Sequence, residues 1–241
     1  MPSSPAPSIK EPRSSLTTFL NPYSYLVARK NIKTFSNFDN IYFDGIVLSK
    51  LMNAIGVRQS RVSFDMTSLA PRVFQHASNE TKTVYFIGGE EGISDQAAKI
   101  LRAEYPKLNI IGCRSGFFKN ETEKELVITE LASTKPDIVI CGMGTPHQEN
   151  FILQLKESGW IGSGFTCGGF FHQTAKTGIK YYPFWFNKLN LRWLYRIIDE
   201  PKLLKRYALH YPMFLIVFIL DVTFYKKHKH FIKENTLNSL L

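Results

Sequence analysis

The chain has 241 residues, of which 44% are hydrophobic, so it can bury a substantial core in one α/β domain or in two smaller ones. Its three cysteines form no CxxC pair or Cys/His cluster, which excludes a common zinc motif and favours a reducing cytoplasm. The formal net charge of +10 indicates a polyanionic partner or a negatively charged surface. Nucleic acid, anionic lipid and a pyrophosphate-bearing substrate all remain open.

The N-terminal segment lacks the features of a secretory signal. Residues 1–8 contain proline and serine without a basic region followed by an apolar one. This composition predicts a disordered tail over residues 1–14. We find no apolar stretch that approaches the roughly 18 to 20 residues needed to cross a membrane.

Residues 21–56 predict two helices around a short connection. Apolar residues between Leu48 and Ile55 recur at helical spacing, which places Asp44 and Gly45 at the start of the second helix. A further helix is predicted over residues 69–78.

The middle of the chain alternates short β-rich runs with amphipathic helices. This alternation predicts an α/β fold with a Rossmann-like parallel sheet. We expect this core to cover residues 15–180 and a helical, basic C-terminal appendage to cover residues 181–241. The predicted strands are 83–87, 109–111, 137–141 and 160–164, and the predicted helices begin near Ser94, Asn120 and Pro146.

Glycine-rich turns follow two of these strands. The turn at Gly88–Gly89 suits the approach of a phosphate to a helix start, although a tight turn without a ligand explains it equally well. The turn at Gly144 should share one crevice with it, because ligands of open α/β sheets bind beyond the carboxyl ends of the strands. In the helix that follows, Gln148 can bond a sugar or ribose hydroxyl. Glu149 is better explained as a first-turn carboxylate favoured by the helix dipole.

The C-terminal part interleaves aromatic and basic residues from Tyr181 to Tyr211, and the apolar run Met213–Leu220 follows. This run is too short to span a membrane. A buried core helix and a segment in the membrane interface are both open, and the flanking lysines favour the interface. The charge also fits a nucleic-acid-binding module or a non-catalytic membrane-recruited scaffold. Because it adjoins an apolar segment, we expect a lipid surface and no nucleic acid.

Several short motifs occur in an order that is more specific than any one of them. They are Asp44-Gly45, Arg61 with Asp65, Gly88-Gly89, Pro136-Asp137, Gly142-x-Gly144-x-Pro146-x-Gln148-Glu149 and Trp193-x-Tyr195-Arg196-x-x-x-Glu200-Pro201. In this set and order, the chain resembles the WecG/TagA/CpsF glycosyltransferase family.

The resemblance implies transfer of a sugar from a UDP-sugar donor to a polyprenyl-diphosphate-linked acceptor, in cell-surface or exopolysaccharide synthesis. It further implies inversion at the anomeric carbon, with no cofactor and no metal. The expected location is the cytoplasm, with peripheral association at the inner face of the cell membrane. There the appendage would contact an anionic membrane surface.

Asp44 matches the proposed catalytic base of this family. An aspartate can accept the proton of an acceptor hydroxyl as that oxygen attacks the anomeric carbon. Capping of the helix that begins at Gly45 is the alternative, and without the resemblance it would be the preferred one. The resemblance reverses this preference.

The resemblance also implies two sets of binding residues. Arginine forks can grip phosphate oxygens and stabilise a departing UDP diphosphate without a metal. The donor or nucleotide set is Gly88, Gly89, Gly144, Gln148, Gly164, Thr166 and Cys167. The acceptor or diphosphate set is Asn21, Arg61, Arg196 and Arg206.

Three positions depart from the family or invite another explanation. Leu203 stands where family members have a third arginine, with Lys202 and Lys205 as substitutes. Tyr181–Pro183 replaces the usual Arg-Ala-Pro and indicates a distinct subgroup. Cys167 is explained as a small residue packed in a tight loop, because inversion needs no covalent intermediate.

Overall fold

A computed structural model of the protein describes residues 14–179, 186, 192–201 and 203–228, with backbone alone for Trp193 and residues 225–228. Its strands are β1 (Leu16–Leu20), β2 (Asn40–Phe43), β3 (Thr83–Gly88), β4 (Asn109–Arg114), β5 (Ile138–Gly142) and β6 (Ser163–Thr166). They form one sheet in the order β2-β1-β6-β5-β3-β4, and every pairing is parallel. The predicted α/β, Rossmann-like parallel sheet is therefore confirmed.

Helices cover both faces of this sheet. Along β5, Ile138 and Ile140 face one apolar cluster while Val139 and Cys141 face another, as the two-residue period of a strand requires. The helices are α1 (Pro22–Lys30), α2 (Ile32–Phe35), α3 (Ile46–Ala54), α4 (Ala70–Asn79), α5 (Ile93–Glu104), α6 (Glu121–Thr134), α7 (His147–Glu157), α8 (Phe170–Thr177), α9 (Arg192–Asp199) and α10 (Leu203–His228).

The prediction for residues 21–56 was wrong, because this region contains β2 as well as α1, α2 and α3. The strand β1, just before it, was also missed. Thr17 and Thr18 are buried in β1, and β2 is an edge strand of mostly half-buried residues, so neither has a strong apolar pattern. The strand β6 begins three residues later than the predicted start of 160.

The chain reverses its direction across the sheet at β3, which lies between β5 and β4. At this point Gly88 has a φ of 152°, and a Cβ there would lie 2.4 Å from the carbonyl oxygen of Gly142. Only glycine allows the ends of β3 and β5 to approach this closely. Open α/β sheets bind ligands at such a reversal.

The apolar run Met213–Leu220 is part of the much longer helix α10. Phe214 and Phe218 are buried against α1, whereas Ile216 and Ile219 are exposed, so a core face and a solvent-facing apolar face coexist. By length and composition alone, the 22 residues Leu203–Phe224 meet the criteria for a membrane-crossing helix. The expectation that no segment reaches this length was wrong, because the helix continues on both sides of the run.

Some predictions concern parts of the chain outside the described residues and stay predictions. These are the tail before residue 14, the segment Tyr181–Pro183, the basic residues Lys188, Lys202, Lys229 and Lys233, and the side chains of Trp193, Lys226 and Lys227.

Candidate active site

A cavity of about 1480 Å³ follows the carboxyl edge of the sheet. Residues within two positions after the end of each of the six strands line it, so the expectation of one shared crevice is confirmed. Helices α9 and α10 supply a further wall. The residues that follow β1 to β6 in this lining are Asn21, Asp44, Gly89, Gly116, Met143 and Cys167.

Asp44 follows β2, and its backbone N–H donates to the carbonyl of Leu20 at 2.8 Å. Gly45 is the N-cap residue of α3, and no side chain caps this helix, so the capping explanation for Asp44 is wrong. The Asp44 side chain faces the cavity and remains 38% exposed. It is therefore within reach of a substrate.

The surroundings of Asp44 favour proton acceptance. Burial raises the pKa of Asp44, and the charge of Asp65 raises it further, while Arg61 opposes both. Arg61 Nη1 lies 3.4 Å from Oδ1 of Asp44 and donates to its carbonyl at 3.1 Å. Arg61 thus contacts the candidate base directly, rather than standing apart as a solvated surface charge.

Asn21 lines the cavity and also caps a helix. Its Oδ1 accepts from the backbone N–H groups of Tyr23 and Ser24, each at 3.0 Å. The Ser24 hydroxyl in turn accepts from the Asn21 N–H at 2.7 Å, which completes a capping box. The two bonds to Oδ1 fix the side chain of Asn21 at the carboxyl end of β1.

A buried polar network underlies the centre of the cavity. Thr166 donates to Thr18, and Thr18 donates to Oε1 of Glu149, each at 2.9 Å. Gln148 Nε2 donates to the same oxygen at 3.0 Å, while Gln148 Oε1 accepts from the N–H of Gly168 at 3.1 Å. The network ties β1, β6 and α7 to the turn after β6.

Glu149 does occupy the first turn of α7, as expected, but it is fully buried. Burial raises its pKa, although bonds from Gln148 and Thr18 act in the opposite direction. No sequence pattern indicated this burial, because the partner Thr18 lies in the strand that was missed. Gln148 lines the cavity, but its amide is already bonded within the protein.

The predicted donor residues occupy several different environments. The cavity is lined by four of them: Gly89, Gly144, Thr166 and Cys167. Gly88 precedes Gly89 in the chain and is not itself part of the lining. Gly164 lies inside β6, where a Cβ would be 2.7 Å from Ile152, so its small size serves packing. Burial raises the pKa of the Cys167 thiol well above its usual value, which agrees with a packed residue rather than a nucleophile.

Three arginines of the appendage, Arg192, Arg196 and Arg206, line the cavity. Arg196 Nη2 lies 3.1 Å from the place that a Cβ on Gly169 would occupy, so the guanidinium adjoins the turn after β6. The Arg206 guanidinium lies over the ring of Tyr23 at 4.2 Å from its centroid. Leu203, at the position of the missing third arginine, is buried and also lines the cavity.

Tyr207 and Tyr211 line the cavity beside these arginines and were not singled out from the sequence as site residues. Their ring centroids are 4.6 Å apart. Burial raises the pKa of both hydroxyls, and the nearby charge of Asp44 adds to this effect. The signal that could have identified them is the interleaving of aromatic and basic residues in this region.

The arrangement brings a carboxylate, guanidinium groups and glycine turns to one cavity. Such a site can accept a proton beside a bound anionic leaving group. Among the described residues, no group of three or more His, Cys, Asp or Glu side chains could hold a metal ion.

Comparison with known proteins agrees with this chemistry. The sequence profile of the glycosyl transferase WecG/TagA/CpsF family matches residues 6–228. A UDP-Gal:alpha-D-GlcNAc-diphosphoundecaprenol beta-1,4-galactosyltransferase of Shigella boydii is 40% identical over 86% of this chain and 87% of its own length. An N-acetylglucosaminyldiphosphoundecaprenol N-acetyl-beta-D-mannosaminyltransferase of Bacillus subtilis is 29% identical over 63% of this chain and 59% of its own length. The chain belongs to the WecG/TagA/CpsF family of glycosyltransferases.

Proposed function

We propose that the protein transfers galactose from UDP-galactose to the GlcNAc unit of GlcNAc-diphosphoundecaprenol. The Shigella boydii relative, which is aligned over most of both chains, has this activity in its name. The Bacillus subtilis relative names a different sugar but the same GlcNAc-diphosphoundecaprenol acceptor. Both relatives thus use the same acceptor, and we assign it to this protein. We assign the donor of the Shigella boydii relative because its sequence identity is the higher of the two.

The observation that carries this proposal is the position of Asp44. It opens to the same cavity as Arg196, Arg206 and the glycine turns after β3, β5 and β6. A base and a set of cations that line one cavity suit a displacement in which a hydroxyl loses a proton while a diphosphate gains charge.

In the proposed reaction, an acceptor hydroxyl oxygen attacks the anomeric carbon of the sugar, and Asp44 accepts the proton. The new glycosidic bond forms as the bond from the anomeric carbon to the UDP β-phosphate oxygen breaks. Arg196 and Arg206 stabilise the departing diphosphate. One displacement converts the α-linked donor into a β-linked product, as in the name of the Shigella boydii relative.

The remaining predicted residues have more local roles in this proposal. Arg61 lies beside Asp44 and can bind a diphosphate of the acceptor, while Asn21 shapes the adjacent rim. Gln148 holds the turn at Gly168 through its amide oxygen and thereby supports donor binding. The cations of the appendage lead us to expect transfer without an added divalent metal.

We place the protein at the inner face of the cell membrane, with α10 as the contacting element. Its exposed apolar residues would enter the interface that contains the lipid-linked acceptor. Sedimentation with vesicles containing about 30% anionic lipid, compared with neutral vesicles, tests this placement. Ile216→Glu should weaken the binding, whereas unchanged sedimentation of this variant would contradict a contact through α10.

The activity test supplies purified protein with a synthetic GlcNAc-diphospholipid and, separately, with UDP-galactose, UDP-GlcNAc and UDP-ManNAc. Mass spectrometry should detect one added hexose with UDP-galactose, in the presence of EDTA, and NMR should identify a β linkage. Transfer of an N-acetylhexosamine in preference to galactose would refute the proposed donor. Absence of transfer from every UDP-sugar would refute the proposed function.

A further inference from the structure

Asp65 is a buried carboxylate that connects the core to the appendage. Its Oδ2 accepts from the Ser63 hydroxyl at 2.6 Å and from Arg192 Nη1 at 3.0 Å. Its Oδ1 accepts from the Thr67 N–H at 2.8 Å and from the Thr67 hydroxyl at 2.5 Å. The loop therefore holds Asp65 rigidly, and Arg192 is the partner that it binds outside the loop.

Arg192 and Arg196 lie on one face of α9, because they are four residues apart. Near the other end of this helix, Asp199 pairs with Lys176 of α8. Arg196 thus lies between two ion pairs, one on each side along the helix. Both bind α9 to the core, and Arg196 adjoins Gly169 in the turn that precedes α8.

We propose that Arg192 and Asp65 are positioning residues, which hold Arg196 over the Gly168–Gly169 turn so that it can bind the diphosphate of the donor. This inference rests on the proposed function, which gives the cavity a UDP-sugar. Both side chains line the cavity, but the proposed role acts through Arg196 and does not require contact with the substrate. The ion pair between Arg192 and Asp65 fixes the position of α9 on the core, and the position of α9 in turn determines where the Arg196 guanidinium lies.

Burial makes this pair sensitive to the loss of one partner. The side chains of Arg192 and Asp65 are only 15% and 12% exposed, and removal of one leaves the other charge poorly solvated. A helix with two turns has little stability of its own, so its position depends on such contacts. Displacement of α9 would therefore move Arg196 away from the turn.

The ion pair between Arg29 and Asp221 offers a matched control. It also joins the core to the appendage, with a distance of 2.9 Å, but Arg29 is 53% exposed. Neither residue lines the cavity, and the pair binds α10 to α1 rather than α9 to the turn. Its loss tests whether any weakening of the appendage is enough to reduce donor binding.

The experiment measures UDP binding to the full chain by calorimetry. We expect Arg192→Gln to raise the Kd for UDP about tenfold to hundredfold, similar to Arg196→Gln. Arg196→Gln removes a charge-assisted contact with the diphosphate, and Arg192→Gln displaces the guanidinium that makes this contact. Arg192→Lys, which keeps a cation near Asp65, should stay within about threefold of the wild type. Arg29→Gln should stay within about twofold.

A double-mutant cycle separates positioning from independent binding. If Arg192 acts through Arg196, Arg192→Gln should add no more than about twofold to the Kd of the Arg196→Gln variant. Additive effects of the two substitutions would overturn the inference. Should Arg192→Gln fail to fold, Asp65→Asn replaces it in the cycle, because its amide oxygen can still accept from Thr67.

The outcomes distinguish this inference from the function on which it rests. A wild-type protein that does not bind UDP would overturn both. A wild type that binds UDP, with a folded Arg192→Gln variant of equal affinity, would overturn the positioning role alone. An equal loss of affinity in Arg29→Gln would also overturn it, because general loosening of the appendage would then explain the effect.

Discussion

The core wall of the cavity contributes glycine turns, polar groups and the charged pair Asp44 and Arg61, whereas the appendage wall contributes mainly arginines and tyrosines. On the core side, the Thr18, Thr166, Gln148 and Glu149 side chains bond to one another and to backbone. On the appendage side, ion pairs and aromatic contacts hold α9 and α10 to distant parts of the core.

This difference means that one part of the molecule shapes the cavity, while another part supplies most of its cations. The parallel sheet fixes the core wall, so a fault there should damage the whole fold. The appendage is attached by ion pairs of α9 and by the packing of Phe214 and Phe218, so a fault there should remove cations from the site while the sheet persists. Asp44 belongs to the core wall, and the charges of Arg192 and Arg196 on the other wall act on it, so we expect both walls to be necessary for activity.

The strongest test of the core wall is Gly88→Ala. The added Cβ would lie 2.4 Å from the carbonyl oxygen of Gly142, so we expect the free energy of unfolding to fall by about 4 kcal/mol or more. Urea denaturation measures this loss. In Gly92→Ala, the φ is also positive but no atom lies within 4 Å, and the loss should be about 1 to 2 kcal/mol. Equal losses in the two variants would contradict the importance of the close approach.

A smaller effect is expected when the appendage wall is loosened by Phe214→Ala. Phe214 is fully buried and packs edge-to-face on Tyr25, so its truncation should cost about 3 kcal/mol of docking free energy. Limited proteolysis should then cleave α10 before the sheet unfolds. Ile216→Ala, at a position that is 62% exposed, should leave the cleavage rate nearly unchanged. Simultaneous unfolding of sheet and helix in Phe214→Ala would show that the two walls are one cooperative unit.

The smallest effect is expected for Glu149→Gln, and it depends on pH. Because the folded pKa of Glu149 is raised, its ionisation lowers stability as the pH rises from the unfolded pKa, about 4.3, through the folded value. The glutamine oxygen can still accept from Thr18 and Gln148. The variant should therefore match the wild-type Tm near pH 4 and equal or exceed it at pH 7.5. A lower Tm of the variant at pH 7.5 would indicate that the carboxylate itself is required.

The sequence contained enough information for the central sheet, because β3 and β5 are apolar runs that end in glycine. The sequence signal was weaker for β1, because Thr17 and Thr18 interrupt the apolar pattern of this strand. Both threonines are nevertheless buried, and Thr18 donates a hydrogen bond to Glu149 in the core. The start of β6 was placed three residues too early because Gly162 and Gly164 give no side-chain pattern. In each case the strand is determined by packing against residues that are distant in sequence, and a local sequence pattern carries no information about such contacts.

For the site, ordered motifs identified Asp44 and Arg196, which line the same cavity. The bond from Arg192 to Asp65 joins residues 127 positions apart, so no spacing along the chain could indicate it. For Tyr207 and Tyr211, the sequence showed only that aromatic and basic residues are interleaved in this region, and it did not indicate that these two line the cavity. Motifs therefore identified residues that line the cavity, whereas the contacts that hold these residues in place could be found only in the folded structure.

The most direct test of the account is Asp44→Asn, assayed for UDP binding and for transfer to a GlcNAc-diphospholipid in the same preparation. The substitution keeps the shape of the side chain but removes its capacity to accept a proton. We expect the Kd for UDP to stay within about threefold and kcat to fall about 10²- to 10⁴-fold, the usual contribution of a general base. Transfer at the wild-type rate by this variant would contradict the role of Asp44 as the base.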